Sequence, residues 1–180
     1  TRLEITCGEA PYLVSRYDAA TGETIPITKR IGMLDRKLRV VSANTQSASE
    51  WLEWAKVAYQ STYGYEWQGD SLLLARQNLL LSFVEHYCDK FGQQPPEGSI
   101  ESVAEIISWN LWQMDGLRGV VPGSCRDGVT VTEDTLFGTE ERTIQCPGCQ
   151  QEDIRLHNGQ YCLIRDWKNS KEIRFVDLIK

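Results

Sequence analysis

Residues 1–12 read TRLEITCGEAPY, and the fold follows from how this stretch is taken. Leu3 and Ile5 alternate with polar neighbours, as on a strand. Cys7-Gly8 makes a small-residue turn, and residues 10–16 suit a helix. A strand that feeds a glycine-containing turn and then a helix is how a Rossmann-like domain begins. In such a domain the turn lets a ligand approach the backbone, and the helix start faces it. One glycine does not decide the matter alone, so the reading depends on the rest of the chain.

The chain has 180 residues, 41% hydrophobic and 24% charged, which suits one soluble domain, or one domain with a small appendage. A formal net charge of -6 argues against a free-standing nucleic-acid binder. It leaves room for a local basic patch or a DNA-binding partner. No apolar run reaches the length of a membrane span, and no signal peptide is visible. A cytoplasmic location is the default expectation, and a start on Thr1 suits a piece of a longer protein. Without a secretion signal, the cysteines (7, 88, 125, 146, 149 and 162) are expected as thiols or metal ligands rather than disulfides.

Residues 17–23 make a turn broken at Thr21-Gly22. Pro26 can start a helix in which Ile31, Leu34, Leu38 and Val41 share a face. Ser47 and Glu50 form a capping box for a helix carrying Trp51, Trp54, Ala55 and Tyr59, whose tryptophans suit a core. Residues 62–67 form an aromatic second strand. A long helix follows from Ser71 to about Phe91, with Leu73, Leu80, Val84 and Tyr87 on its main stripe and Leu72, Ala75, Leu79 and Phe83 widening it. His86 lies on that helix and suits a structural histidine. Pro95-Pro96 marks a loop, Ser99 caps a helix running through Ile107, and residues 110–116 form a third strand. Strand, helices, strand, helix, strand is the α/β pattern of a parallel sheet with crossover helices. From Val120 the glycines become frequent. Short strands are expected at 129–132 and 142–145, and a hairpin at 160–167 and 172–178 with its turn at 168–171.

Gly8, Glu66 and Asp115 then fall at the ends of three predicted strands, where open α/β sheets bind ligands. An acid ending the second strand can accept both ribose hydroxyls, and one ending the third can accept an exocyclic amine. Taken singly, each acid is better explained as a helix cap or a group in water. Taken in order, the three describe an adenosine pocket.

Leu3 to Leu13 resembles the first motif, L-E-P-x-C-G-x-G-x-F-L, of S-adenosylmethionine-dependent adenine-N6 DNA methyltransferases. Tyr63 to Ser71, with Ala75-Arg76 and Leu79-Leu80, resembles the second, and Asn110 to Leu117 the third. The likeness spans about residues 1–117 and is strongest to methylase subunits of restriction systems. It implies a Rossmann-like methyltransferase sheet with a helical insertion. It also implies that Glu4, Cys7, Gly8 and Ala10 line the methionine part of S-adenosylmethionine, that Glu66 holds the ribose and that Asp115 holds the adenine amine. Two departures stand out. Ala10 replaces the motif's second glycine and is followed by Pro11. The catalytic [D/N/S]-P-P-[Y/F] motif, which grips a flipped adenine, has no match after Asp115.

Cys146-Pro147-Gly148-Cys149 has the spacing and turn residues of a zinc knuckle. Cys125 and Cys162 would complete a four-cysteine site, with His157 as the substitute ligand. Free thiols on a loop are the alternative, and a thioredoxin-like redox pair lacks the strand-then-helix context. The expected organisation is a methyltransferase-like domain over residues 1–119 and a Gly/Cys-rich β appendage over 120–180 stapled by zinc. The expected function is a component of a DNA restriction–modification system that, if active, methylates adenine N6. The first alternative is a non-catalytic scaffold or specificity subunit that meets DNA through a larger methylase or nuclease. The second is another adenine-nucleotide-binding α/β protein.

Overall fold

In the computed structural model, which describes residues 1–18, 20–136 and 138–179, β1 (Arg2–Ile5) lies parallel to β2 (Thr62–Glu66), with Arg2 opposite Thr62 and Ile5 opposite Tyr65. The small parallel sheet runs in the order β1-β2-β3, where β3 is Leu111–Gln113. Parallel neighbours need crossovers. A 3₁₀ turn (Ile27–Lys29), α1 (Met33–Asn44) and α2 (Ala48–Gln60) connect the first pair, and α3 (Gly69–Phe91) and α4 (Glu97–Asn110) the second. The α/β character is as expected, while the sheet has three strands among the described residues. The chain divides into two units, Thr1–Trp112 and Gln113–Lys180.

Several local expectations shift, each for a physical reason. Residues 10–16 do not form a helix. Ala10 takes a left-handed φ of 66°, and its carbonyl accepts from Leu13 and Val14 N–H in a single turn. Pro26 opens only the 3₁₀ turn. The helix proper starts after Gly32, where a side chain would meet the Leu13 carbonyl oxygen at 2.5 Å. Ser47 does cap α2, its Oγ accepting from Glu50 N–H at 3.2 Å, while the Glu50 carboxylate accepts from Gln46 N–H. Trp51 is fully buried, but Trp54 is exposed. On α3 the widening residues Leu72, Ala75, Leu79 and Phe83 are all buried, as are His86 and, from the main stripe, Tyr87, whereas Leu73 of the main stripe is exposed. The helix stops at Gly92 in a left-handed cap. α4 begins after Pro96 rather than at Ser99, and β3 is shorter than the seven residues expected.

Helix packing gives the first unit an aromatic centre. The Trp51 ring lies 5.7 Å from Phe83 and 5.4 Å, edge-on, from Tyr87, and its indole N–H donates to Ser42. Asn110 donates to the carbonyls of both Tyr59 and Thr62, both at 2.9 Å, pinning the end of α4 to the α2–β2 junction. A buried carboxylate ties the rest together. Asp35 on α1 accepts from Ser15 N–H at 2.8 Å and lies 3.0 Å from His86 Nε2 on α3. Ser15 Oγ in turn accepts from the N–H groups of Ile31 and Gly32. His86 is therefore structural, as expected. Nearby, Glu85 accepts from both Arg16 and Arg30. Burial alone would raise its pKa, but the two guanidinium groups hold it below the usual range.

In the second unit, β4 (Val129–Thr135) and β5 (Gly138–Ile144) form an antiparallel hairpin, where only short separate strands were expected. A short helix, α5 (Pro147–Gln151), occupies the expected cysteine turn. β6 (Leu163–Asp166) pairs with β7 (Lys171–Arg174) as the predicted hairpin, and residues 175–178 coil into a 3₁₀ turn rather than extending the strand. No helix among the described residues is long and apolar enough to cross a membrane.

Replacing Asp35 by Ala strands the Ser15 amide and the His86 ring in the core. The expected loss is about 3 kcal/mol of first-unit stability, read from urea unfolding followed by tryptophan fluorescence. A loss under about 1 kcal/mol would refute the hub.

Candidate functional site

Four side chains in the second unit converge: Cys125, Cys146, Cys149 and His157, whose ligand atoms all lie within 4.8 Å of one another. His157 Nδ1 is 3.5 Å from Cys125 Sγ, 3.6 Å from Cys146 Sγ and 3.7 Å from Cys149 Sγ. A tetrahedral ion with bonds of about 2.3 Å to sulfur and 2.0–2.1 Å to nitrogen requires sulfur–nitrogen edges of about 3.6 Å. The cluster can hold a metal ion such as zinc. It uses four protein ligands, the closed arrangement of structural rather than catalytic sites.

The local chain explains the convergence. Cys125 precedes β4 and Cys146 follows β5, so the hairpin brings both ends of a long loop to one place. Its root is closed by Gly128 N–H donating to Ile144 O at 2.9 Å. Asp127 then accepts from Cys146 N–H at 2.9 Å. One turn of α5 carries Cys149 back beside Cys146, and the chain reverses at Glu152 in a left-handed conformation. Gly148 N–H donates to Leu156 O, which sets His157 against Gly148. A side chain at Gly148 would meet His157 N at 2.6 Å, and one at Gly159 would meet Cys125 N at 2.9 Å and Cys125 Sγ at 3.0 Å. Asn158 N–H donates to Cys146 Sγ at 3.4 Å, the backbone support a thiolate ligand needs.

The electrostatics favour a cation. Burial opposes ionisation of Cys146, but hydrogen bonds from the Asn158 and Cys149 amides and from His157 outweigh it, and its pKa falls to about 6. Burial and the neighbouring Cys146 push Cys125 up to about 11, and Cys149 moves the same way. One thiolate thus keeps its two neighbours protonated. A divalent cation among them reverses that preference.

Cys162, expected as a ligand, is not part of the cluster, and His157 takes the fourth corner. Cys162 is buried, its Sγ donating to Gln113 O at 3.4 Å, and burial and Asp115 push its pKa up to about 12. Its place in an apolar strand pattern, Tyr161-Cys162-Leu163-Ile164, was the signal for a core thiol. The signal for His157 was the pair of glycines, Gly148 and Gly159, that make room around it.

The expected cofactor residues divide between the units. Glu4, Cys7, Gly8 and Glu66 meet at the ends of β1 and β2. Glu66 Oε2 accepts from Gly8 N–H at 2.6 Å and Oε1 from Gln68 N–H at 3.1 Å. Cys7 is buried and donates its N–H to Tyr65 O at 2.7 Å. Burial, then the carboxylates of Glu4 and Glu66, raise its thiol pKa to about 12. Burial also raises Glu4, whose Oε2 is enclosed and has no hydrogen-bond partner. Gly8 (φ 54°) has nothing within 4 Å of where a side chain would start. Ala10 is fully buried, so its methyl group packs inward rather than lining an open wall. Asp115 falls in the second unit. Its Oδ1 accepts from the N–H groups of Leu117 and Arg118, at 3.0 and 3.2 Å, and so caps a turn.

Adding a methyl group at Gly148 forces His157 or the α5 turn to move. Gly148→Ala is expected to cost about 1–3 kcal/mol of second-unit stability, measured by chemical denaturation. An unchanged midpoint would contradict the close packing of His157 on Gly148. No protein-family model, no curated protein and no solved structure matches the chain.

Proposed function

We propose that residues 113–180 fold around one structural zinc ion bound by Cys125, Cys146, Cys149 and His157. We also propose that the chain is a methyltransferase-like component of a DNA restriction–modification system. The observation that carries the metal reading is the set of three sulfur–nitrogen distances, 3.5, 3.6 and 3.7 Å, which fit one tetrahedral ion. Bound there, zinc supplies positive charge and a four-way crosslink. The protein's own part is to hold Cys146 as a thiolate, to present His157 through Nδ1 and to close the fourth corner against substrate.

S-adenosylmethionine suits the first unit's strand-end cluster. In this reading Glu4, Cys7 and Gly8 line its methionine part and Glu66 its ribose. The fit rests on the open space at Gly8 and on the enclosed, unpartnered Oε2 of Glu4. A carboxylate has lone pairs beyond the two that Glu66 gives to amides. When bound, the cofactor would supply an electrophilic methyl group. The chain itself has no [D/N/S]-P-P-[Y/F] segment after Asp115 to hold a target adenine. A second reading is therefore a non-catalytic scaffold that reaches DNA through a larger methylase or nuclease in the cytoplasm. The commitment of both Glu66 oxygens to the Gly8 and Gln68 amides favours it.

Elemental analysis of protein purified without chelator is expected to give one zinc per chain. Cys125→Ser and His157→Ala should lose it, and Cys162→Ser should keep it. Zinc lost on Cys162→Ser but kept on His157→Ala would contradict the ligand set. Calorimetry is expected to detect S-adenosylmethionine binding that Glu66→Ala abolishes. No heat with the wild type removes the cofactor reading and leaves the scaffold. DNA methylation by this chain alone would contradict the absence of catalytic machinery.

A further inference from the structure

The four-ligand cluster is open on one side. A groove of about 340 Å³ lined by Leu117, Arg118, Cys149, Glu152, Ile154 and His157 leads to it within the second unit. Leu117, Arg118 and Glu152 on its rim are exposed. Cys125 and Cys149 are half-buried, whereas Cys146 is fully enclosed. Of the three cluster cysteines, Cys149 is the one on the groove wall. A metal site sealed in a core keeps small oxidants from its sulfur atoms, and this one presents a sulfur to solvent.

The partner for that sulfur sits in the same turn. Cys146 caps α5 and Cys149 is the third residue of the helix. Positions three apart on a helix are neighbours on one face, at a separation that suits a disulfide. Both sulfur atoms belong to the group within 4.8 Å, and they share His157 Nδ1 at 3.6 and 3.7 Å. Cys125 is as close in space but belongs to a separate segment before β4 and is packed against Gly159. Closing a bond between Cys146 and Cys149 restricts the shortest loop of chain.

We propose that Cys146 and Cys149 form a peroxide-responsive switch, in which a peroxide entering by the groove oxidises the pair to a disulfide and opens the metal site; this rests on the zinc reading above. The Cys149 sulfur attacks one peroxide oxygen, so that an S–O bond forms, the O–O bond breaks and the departing hydroxide takes up a proton as water. The Cys146 sulfur then attacks the sulfenic sulfur of Cys149. The S–S bond forms, the S–O bond breaks and a second water leaves. The two thiols give up two electrons and one peroxide accepts them. Cys125 and His157 remain, two ligands where a structural zinc site uses four. The root of the β4–β5 hairpin is then no longer tied to the α5 turn through a metal. A dithiol reductant reverses the oxidation.

Hydrogen peroxide treatment of the zinc-loaded full chain tests it, with released zinc read by a chromogenic chelator and the cysteines mapped by alkylation and mass spectrometry. One zinc is expected to leave per Cys146–Cys149 disulfide formed, while the buried Cys7 and Cys162 remain thiols. Dithiothreitol and added zinc should restore the loaded state. Cys149→His keeps a ligand at that corner but removes the groove thiol, and its zinc release should slow by roughly ten-fold or more. Zinc retained under peroxide, zinc released with Cys146 and Cys149 still reduced, or a disulfide through Cys125 instead overturns the switch and leaves the ligand set standing. Release from zinc-loaded Cys149→His at the wild-type rate does the same. Where that variant does not load, the wild-type disulfide map decides. A wild-type chain that never loads zinc overturns the switch together with the metal reading.

Discussion

Three sulfur atoms and a ring nitrogen lie within 4.8 Å of one another, where one thiolate, Cys146, keeps the other two thiols protonated and a cation at the centre would draw all three sulfurs into one site. In the proposed reading that site carries the second unit, which has little else. Its hairpins are two-stranded, and two-stranded ribbons are marginal in water by themselves. β4 and β5 are mostly exposed. Among the described residues, the enclosed apolar side chains outside the cluster are few: Met114, Val120, Cys162, Phe175 and Val176. With a metal ion bound, a four-way crosslink joining Cys125, the α5 turn and His157 would replace the core that the composition cannot supply. It would also fix the root of the β4–β5 hairpin, since Cys125 and Cys146 stand at its two ends.

The first unit solves the same problem with apolar burial and a satisfied polar centre. Trp51, Tyr59, Phe83 and Tyr87 fill the space between α2 and α3. The Asp35–His86–Ser15 group anchors the loop after β1 to α1 and α3. That anchoring holds the segment around Gly8 near the end of β2, where Glu66 receives the Gly8 amide. The strand-end cluster is therefore a product of helix packing below it.

Legibility in the sequence followed the strength of the local signal. The α2 cap, the β2 strand and the long α3 helix were readable because a capping box, an aromatic run and a helical period act within a few residues. Which stripe of α3 faces the core was not, because Leu73 and Leu79 are equally apolar and only the packing of α2 and α4 decides between them. The loss of the first helix had no local cue either, since it follows from the left-handed Ala10 and from Asp35, which holds Ser15 from afar. At the metal cluster the CxxC pair and Cys125 were legible from spacing. The fourth ligand was not, because Cys162 and His157 are both within reach along the chain, and only the fold turns one into the core and the other onto Gly148. Asp115 shows the same limit: its place after a strand suggested a ligand contact, and the structure gives its Oδ1 to two amides of its own turn.

The most direct test of the central claim is X-ray absorption at the zinc edge of the purified chain. The account predicts a first shell of three sulfur atoms at about 2.3 Å and one imidazole nitrogen at about 2.0–2.1 Å. A four-sulfur shell, an oxygen-rich shell or no zinc signal would contradict it.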